Sequence, residues 1–182
     1  MMSRVDSREK RLILFTDIGD TVIDEGSEVR TVPHGVVHRA DCIPGAKETL
    51  LELYRRGYTI AMVADGLVES FHNTMEQNGL AHVFSAWVIS EALGVEKPSA
   101  LMFRTAMDRL GLTDADKPRV VMVGNNIGRD IAGANRFGIC SVLLDWSPRY
   151  RYEPGNADEK PDYIIHTPTE LLDLVERLNG AL

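Results

Sequence analysis

The hydrophobic positions of this chain come in two patterns that alternate along its length. Short continuous apolar runs have the length of buried strands. Longer stretches carry apolar residues three and four apart, as a helix face requires. The first run covers residues 12–15 and stops at Asp17. The next periodic stretch opens at Pro44, which suits a first helical turn. It carries Leu50, Leu51, Leu53 and Tyr54 as its apolar stripe and closes at Gly57. Residues 58–63 predict a second strand, ending at Ala64-Asp65-Gly66. A helix over about residues 68–78 follows, capped by Gly79, with Phe71, Met75 and Leu80 in the core. Residues 87–89 form a short third strand. Pro98 interrupts the chain; Ser99 then caps a helix that runs to Leu110 and ends at Gly111. Residues 120–123 read as strand four, and a Gly124-to-Asp130 loop leads into a short helix that ends at Phe137, with Gly138 as its cap. Strand five covers residues 139–144. After a polar loop at 145–160 come an edge strand at 163–165 and a last helix. That helix opens on Thr167-Pro168-Thr169-Glu170, a capping box with proline at the first helical position, and buries Leu171, Leu174, Val175 and Leu178.

Strands alternating with helices predict an α/β fold: a Rossmann-like, mostly parallel sheet with right-handed crossovers, covered on both faces as a three-layer α/β/α sandwich. Residues 21–43 show no clear period and read as a loop holding a short hairpin. His34 and His38 lie there four apart with no third ligand spaced near them, so exposed loop histidines are a better reading than a zinc site.

A length of 182 residues suits one core domain over residues 1–182. The net charge of −7 argues against nucleic acid as a partner, since phosphate backbones need a basic face. Cys42 and Cys140 are too few for a disulfide framework or a Cys-rich metal site, and read as reduced, buried thiols of a cytoplasmic protein. The polar start, residues 1–11, lacks the apolar centre of a secretory signal, and no apolar run approaches the ~20 residues of a membrane helix. Repeats and low-complexity tracts are absent from the sequence.

The candidate chemistry lies where strands end. Asp17, Asp20 and Asp24 follow strand one, with Gly19 between the first two. A carboxylate there is a nucleophile, a metal ligand or a turn former. Parallel strands deliver their carboxyl ends to one crevice, which would gather Asp17, Ala64-Asp65-Gly66, Lys97 and the Gly124-to-Asp130 loop. Such a set can hold a divalent cation through oxygen, and a phosphate through backbone N–H groups and the Lys97 ammonium.

At this point the chain resembles the haloacid dehalogenase superfamily of phosphotransferases and hydrolases. Asp17-Ile18-Gly19-Asp20-Thr21-Val22 is similar to the family's first motif, and the strand ending at Ala64-Asp65-Gly66 to its second. Lys97-Pro98 resembles the third, and Gly124-Asn125 through Asp130-Ile131 and Gly133-Ala134 the fourth. The resemblance implies a phosphohydrolase in which Asp17 attacks phosphorus to form an aspartyl-phosphate and Lys97 steadies nucleophile and phosphate. It implies phosphate contacts at Ala64, Asp65, Gly66 and Lys97. It also implies Mg²⁺ held by Asp17, the Gly19 carbonyl, Asn125 and Asp130.

Three positions depart from the family pattern. Gly19 stands where phosphatases carry the Asp that protonates the leaving group and then activates water, a function worth 10²–10⁴-fold in rate. Asp20 is one position along and is expected to point elsewhere. Ala64 replaces a Ser or Thr hydroxyl, and Asn125 replaces an Asp, which lowers the negative charge offered to magnesium. A phospholigand-binding module without turnover, and a metal-independent dehalogenase-type hydrolase, stand as alternatives. The intervals between motifs are too short for a sizeable cap domain. The expectation is an open cleft that admits bulky phosphorylated substrates, or one covered by a second subunit. The loop Ser147-Pro148-Arg149-Tyr150-Arg151-Tyr152 reads as solvated rather than as an anion contact.

Overall fold

Strand-length runs without polar interruption need cover on two faces, and the fold supplies it. A computed structural model describes residues 11–182. In chain order the elements are β1 (Ile13–Thr16), β2 (Val29–Arg30), β3 (Val37–Arg39), α1 (Ala46–Arg55), β4 (Thr59–Ala64), α2 (Val68–Gln77), β5 (Ala86–Ile89), α3 (Ser90–Leu93), α4 (Ala100–Arg109), β6 (Val120–Gly124), α5 (Ala132–Phe137), β7 (Cys140–Leu144), β8 (Tyr163–Ile165) and α6 (Glu170–Gly180). Six strands form one sheet in the order β5-β4-β1-β6-β7-β8, every pairing parallel. Strand β1 lies in the middle, with Ile13 opposite both Thr59 and Val120.

Side chains alternate between the sheet faces, as the pleat dictates. Leu12, Leu14, Ile60, Met62, Val121 and Val123 pack with Leu50, Leu53, Met75, Leu171 and Leu174 of α1, α2 and α6. Ile13, Phe15, Ala61, Val63, Val120 and Met122 pack with Met102, Phe103, Met107 and Phe137 of α4 and α5. Burying one such large side chain stabilises the fold by roughly 1.5–3 kcal/mol, so both layers are needed to hold the sheet. The three-layer α/β/α sandwich with a Rossmann-like parallel sheet is therefore the observed architecture. Chain order reverses at β1, which sends one branch to β4 and the other to β6. The crevice at the carboxyl ends of such strands is where this class of sheet binds ligands.

Several expectations shift in detail. Tyr54, placed in the stripe of α1, is exposed. The last helix begins at Glu170 rather than at Pro168: Pro168 and Thr169 form a turn, and Glu170 reaches back to accept from the Thr167 N–H at 3.1 Å. Cys42 and Cys140 are free thiols and only half-buried, not buried. Residues 127–131 form a π turn ahead of α5, which the apolar pattern did not reveal. The hairpin in the 21–43 stretch exists as β2–β3, and it docks on α2: Ser70 Oγ accepts from the Val37 N–H at 2.9 Å, and Gln77 Oε1 from the Ala40 N–H at 3.0 Å. His34 and His38 are exposed, as expected of loop histidines.

Candidate active site

The sheet ends its central strands beside one cavity of about 270 Å³. Asp17, Gly19, Asp65, Gly66, Lys97, Asn125 and Asp130 all line it. Ala64, the last residue of β4, is buried beneath. The convergence expected from strand order is thus present, although the residues come from four separate stretches.

Lys97 is the hub. It is 3% exposed, and its ammonium donates to Asp17 Oδ1 and to the Val63 carbonyl, each at 2.8 Å. Its Nζ also lies 2.7 Å from Asp130 Oδ1 as an ion pair. That oxygen is buried, and the Lys97 ammonium is the charge it faces. Burial opposes the charge on Lys97, but the carboxylates of Asp130 and Asp17 outweigh it and raise the ammonium's pKa. Asp17 keeps 13% side-chain exposure toward the cavity. Burial pushes its carboxyl above the usual range, Lys97 pulls it back, and the Asp130 charge adds to the rise.

Asp130 is aimed by the π turn, and its Oδ2 accepts from the Asn126 N–H at 2.9 Å. Gly124 permits this close seat, since a Cβ there would lie 2.3 Å from the Asp130 carboxyl carbon. Asn125 Oδ1 accepts a long hydrogen bond from Thr21 Oγ1 at 3.4 Å, and its Nδ2 is buried with no partner. Asp65 Oδ1 accepts from the Lys97 N–H at 3.0 Å, while Arg129 lies 3.3 Å from its other oxygen. The Gly66 N–H already donates to Ser90 Oγ at 2.9 Å, so a phosphate there would share it. Arg129 also lines the cavity and adds a second cation that the motif reading passed over.

Asp20 does point elsewhere. It is fully buried, and Arg149 grips it with Nε at 2.8 Å and Nη2 at 2.6 Å, while Ser147 Oγ donates at 2.7 Å. Burial works against its charge, yet the Arg149 and Ser147 hydrogen bonds hold its carboxyl below the usual range. Its neighbour Glu25 starts a short 3₁₀ turn and also lines the cavity. Burial pushes the Glu25 carboxyl up, and the hydrogen bond from Tyr150 only partly offsets this.

The loop at 147–152 is therefore not simply solvated, contrary to expectation. Arg149 ties down Asp20 and Asp24, and the Tyr150 hydroxyl donates to Glu25 Oε2 at 2.9 Å, while Arg151 does remain at the surface with Glu159. Glu25, Arg149 and Tyr150 were missed because no local spacing links residues 125 positions apart. The surplus of arginine and tyrosine in an otherwise polar loop was the available signal.

The oxygen donors present suit a hard cation. Asp17, Asp130, the Asn125 amide and the Gly19 carbonyl are all of the type Mg²⁺ prefers, and Asp130 Oδ1 is a buried oxygen without a hydrogen bond. Among the described residues no group of three His, Cys, Asp or Glu stands in metal-binding arrangement. What fits magnesium is the chemistry of the donors: two carboxylates with an amide and a carbonyl oxygen.

Over 135 residues the chain is 37% identical to a glyceraldehyde 3-phosphate phosphatase of Methanopyrus kandleri, covering 74% of this chain and 57% of that protein. It is 35% identical over 137 residues to a ribulose-1,5-bisphosphate 5-phosphatase of Halopiger xanaduensis, covering 73% of this chain and 56% of the relative. The chain thus spans a little over half the length of these relatives. A solved HAD phosphatase of Thermococcus onnurineus shares the fold at a TM-score of 0.72 and 18% identity, covering 90% of this chain and 97% of that one. Among the described residues no helix is long and apolar enough to cross a membrane. A family profile described as haloacid dehalogenase-like hydrolase matches residues 18–144, and on that match and this architecture the chain belongs to the haloacid dehalogenase-like hydrolases.

Proposed function

We propose that the protein is a Mg²⁺-dependent phosphohydrolase that works through an aspartyl-phosphate on Asp17. The observation that carries this reading is the 2.8 Å contact between the Asp17 carboxylate and the buried Lys97 ammonium at the mouth of a cavity. A buried cation fixes the carboxylate's orientation and offers charge to an incoming phosphate. Asp17 attacks phosphorus in line, the bond to the leaving oxygen breaks, and the phosphoryl group rests on Asp17 until water displaces it. Lys97 and Arg129 face the phosphate's negative charge. Mg²⁺ on Asp17, Asp130, Asn125 and the Gly19 carbonyl would neutralise the repulsion between nucleophile and phosphate.

The cavity, about 270 Å³, matches a phosphoryl group with a short chain attached. The two relatives described above are named for phosphorylated sugars, which supports a small phosphorylated substrate. The β2–β3 hairpin and its 3₁₀ turn are the insertion between β1 and α1, and we take this chain as a core without a cap domain. A larger substrate would extend past the hairpin into solvent.

The test is hydrolysis of a phosphomonoester panel by wild type and by Asp17→Asn, with magnesium and with EDTA. Wild type turns over in magnesium, EDTA stops it, and Asp17→Asn is inert. Equal activity of the two proteins would refute Asp17 as nucleophile.

A further inference from the structure

Position 19 has no side chain, yet the space beside it is not empty. A Cβ placed on Gly19 would fall 2.2 Å from Glu25 Oε1 and 3.1 Å from the Glu25 carboxyl carbon. The Glu25 carboxylate therefore fills the volume that a side chain at position 19 would take, beside Asp17 in the same cavity. It is fixed at both ends. The Glu25 N–H donates to Asp20 Oδ1 at 3.0 Å, and the Tyr150 hydroxyl donates to Oε2 at 2.9 Å. Oε1 is the atom set against Gly19. Asp20 is committed to this support: both its oxygens are occupied by Arg149, Ser147 and the Glu25 N–H.

We infer that Glu25 is the proton-transfer group of this site, carried to the cleft by the 3₁₀ turn in place of a side chain at position 19. The inference rests on the hydrolase reading given above. In the first step Asp17 forms a bond to phosphorus, and the electron pair of the breaking P–O bond goes to the leaving oxygen. That oxygen takes the proton of the Glu25 carboxyl. In the second step Glu25, now ionised, accepts a proton from the water that attacks the phosphoryl group, and the Asp17–phosphorus bond breaks. The sum is phosphoester plus water giving alcohol plus phosphate, with Glu25 restored. Tyr150 is a positioning residue: its hydroxyl donates to Glu25 Oε2 and holds that carboxylate against Gly19.

The test uses the full chain in magnesium and a series of phosphomonoesters whose leaving groups run from nitrophenol to a simple alcohol. Glu25→Gln keeps the size and still accepts from Tyr150. Its turnover of the alkyl ester should fall roughly 10²–10⁴-fold. Initial release of the leaving group should be slowed far less for nitrophenol, which needs no proton. Acid quenching should also trap phosphate on Asp17 in the variant, because the water step has lost its base. Wild-type-like turnover across the series, with no trapped phosphoenzyme, overturns the inference. Should Glu25→Gln not fold, the relocated carboxylate in Gly19→Asp/Glu25→Ala reads the same claim. A gain of tenfold or more over Glu25→Ala supports it, and no gain overturns it. Wild type that neither turns over nor forms a phosphoenzyme refutes the hydrolase reading and this inference together. Active wild type matched by Glu25→Gln refutes the inference alone.

Discussion

Replacing Lys97 with methionine leaves two carboxylates facing each other without their cation. Methionine fills much of the lysine stem's volume, so the loss is mainly electrostatic. The Lys97 and Asp130 side chains are each 1% exposed and that of Asp17 13%, so solvent screens little of the contact. Breaking a buried pair by removing one partner typically destabilises by about 3–5 kcal/mol. For a chain of this size, each kcal/mol moves the midpoint by about 2–4 °C, so Lys97→Met should melt about 6–20 °C below wild type. The pH dependence has a definite sign. The lysine pKa is raised in the fold. Its contribution is therefore fully present below the unfolded lysine value and is lost only as pH rises through the folded one. The lysine's own titration therefore adds no slope between pH about 5 and 8. In the variant Asp17 loses its cation, and its folded pKa, already raised by burial and the Asp130 charge, rises further. The folded variant then binds more protons than the unfolded chain, and it regains stability as pH falls from about 7 toward 5. Scanning calorimetry in EDTA at several pH values reads both effects. A deficit below about 1 kcal/mol at pH 8, or one that widens on acidification, would refute the view of Lys97 as the shared counter-ion.

Two further perturbations probe the supports around that centre. Arg149→Met removes the clamp on Asp20; because the guanidinium is 40% exposed, the loss is discounted to about 1–2 kcal/mol in urea unfolding. The folded Asp20 carboxyl titrates below its usual value. Its stabilisation is therefore present above pH about 4 and lost as pH falls through the lowered value, so the variant should be less acid-sensitive than wild type. Gly124→Ala puts a methyl 2.3 Å from the Asp130 carboxyl carbon and must drive that side chain off the Asn126 N–H. It should cost about 1–3 kcal/mol in a thermal melt and weaken magnesium-dependent protection against unfolding.

The fold was legible because its strands are unbroken apolar runs, which only a sheet covered on both faces can bury. The central strand that ends at Asp17, the Lys97 turn and the Gly124-to-Asp130 loop were legible for a different reason: each carries residue types that a turn alone does not need. The π turn was hidden, since Gly124, Asn125, Asn126 and Gly128 read as a loop. Glu25 was hidden because its role depends on an absence, the missing side chain at Gly19, and on Tyr150 at the far end of the chain. The solvated reading of 147–152 failed for a related reason. Polar residues on a loop are ordinarily hydrated, and nothing nearby in sequence announced the buried anion at Asp20 that recruits Arg149.

Ser147, Arg149 and Tyr150 stand just past residue 144, where the match to the family ends. Signature and support thus lie on different stretches of polypeptide. A fragment excised at Leu144 would keep every hallmark residue and still strand Asp20 as a lone anion in the interior. Substitutions in this connector, remote by sequence from each hallmark, would therefore behave like lesions of the proposed site itself.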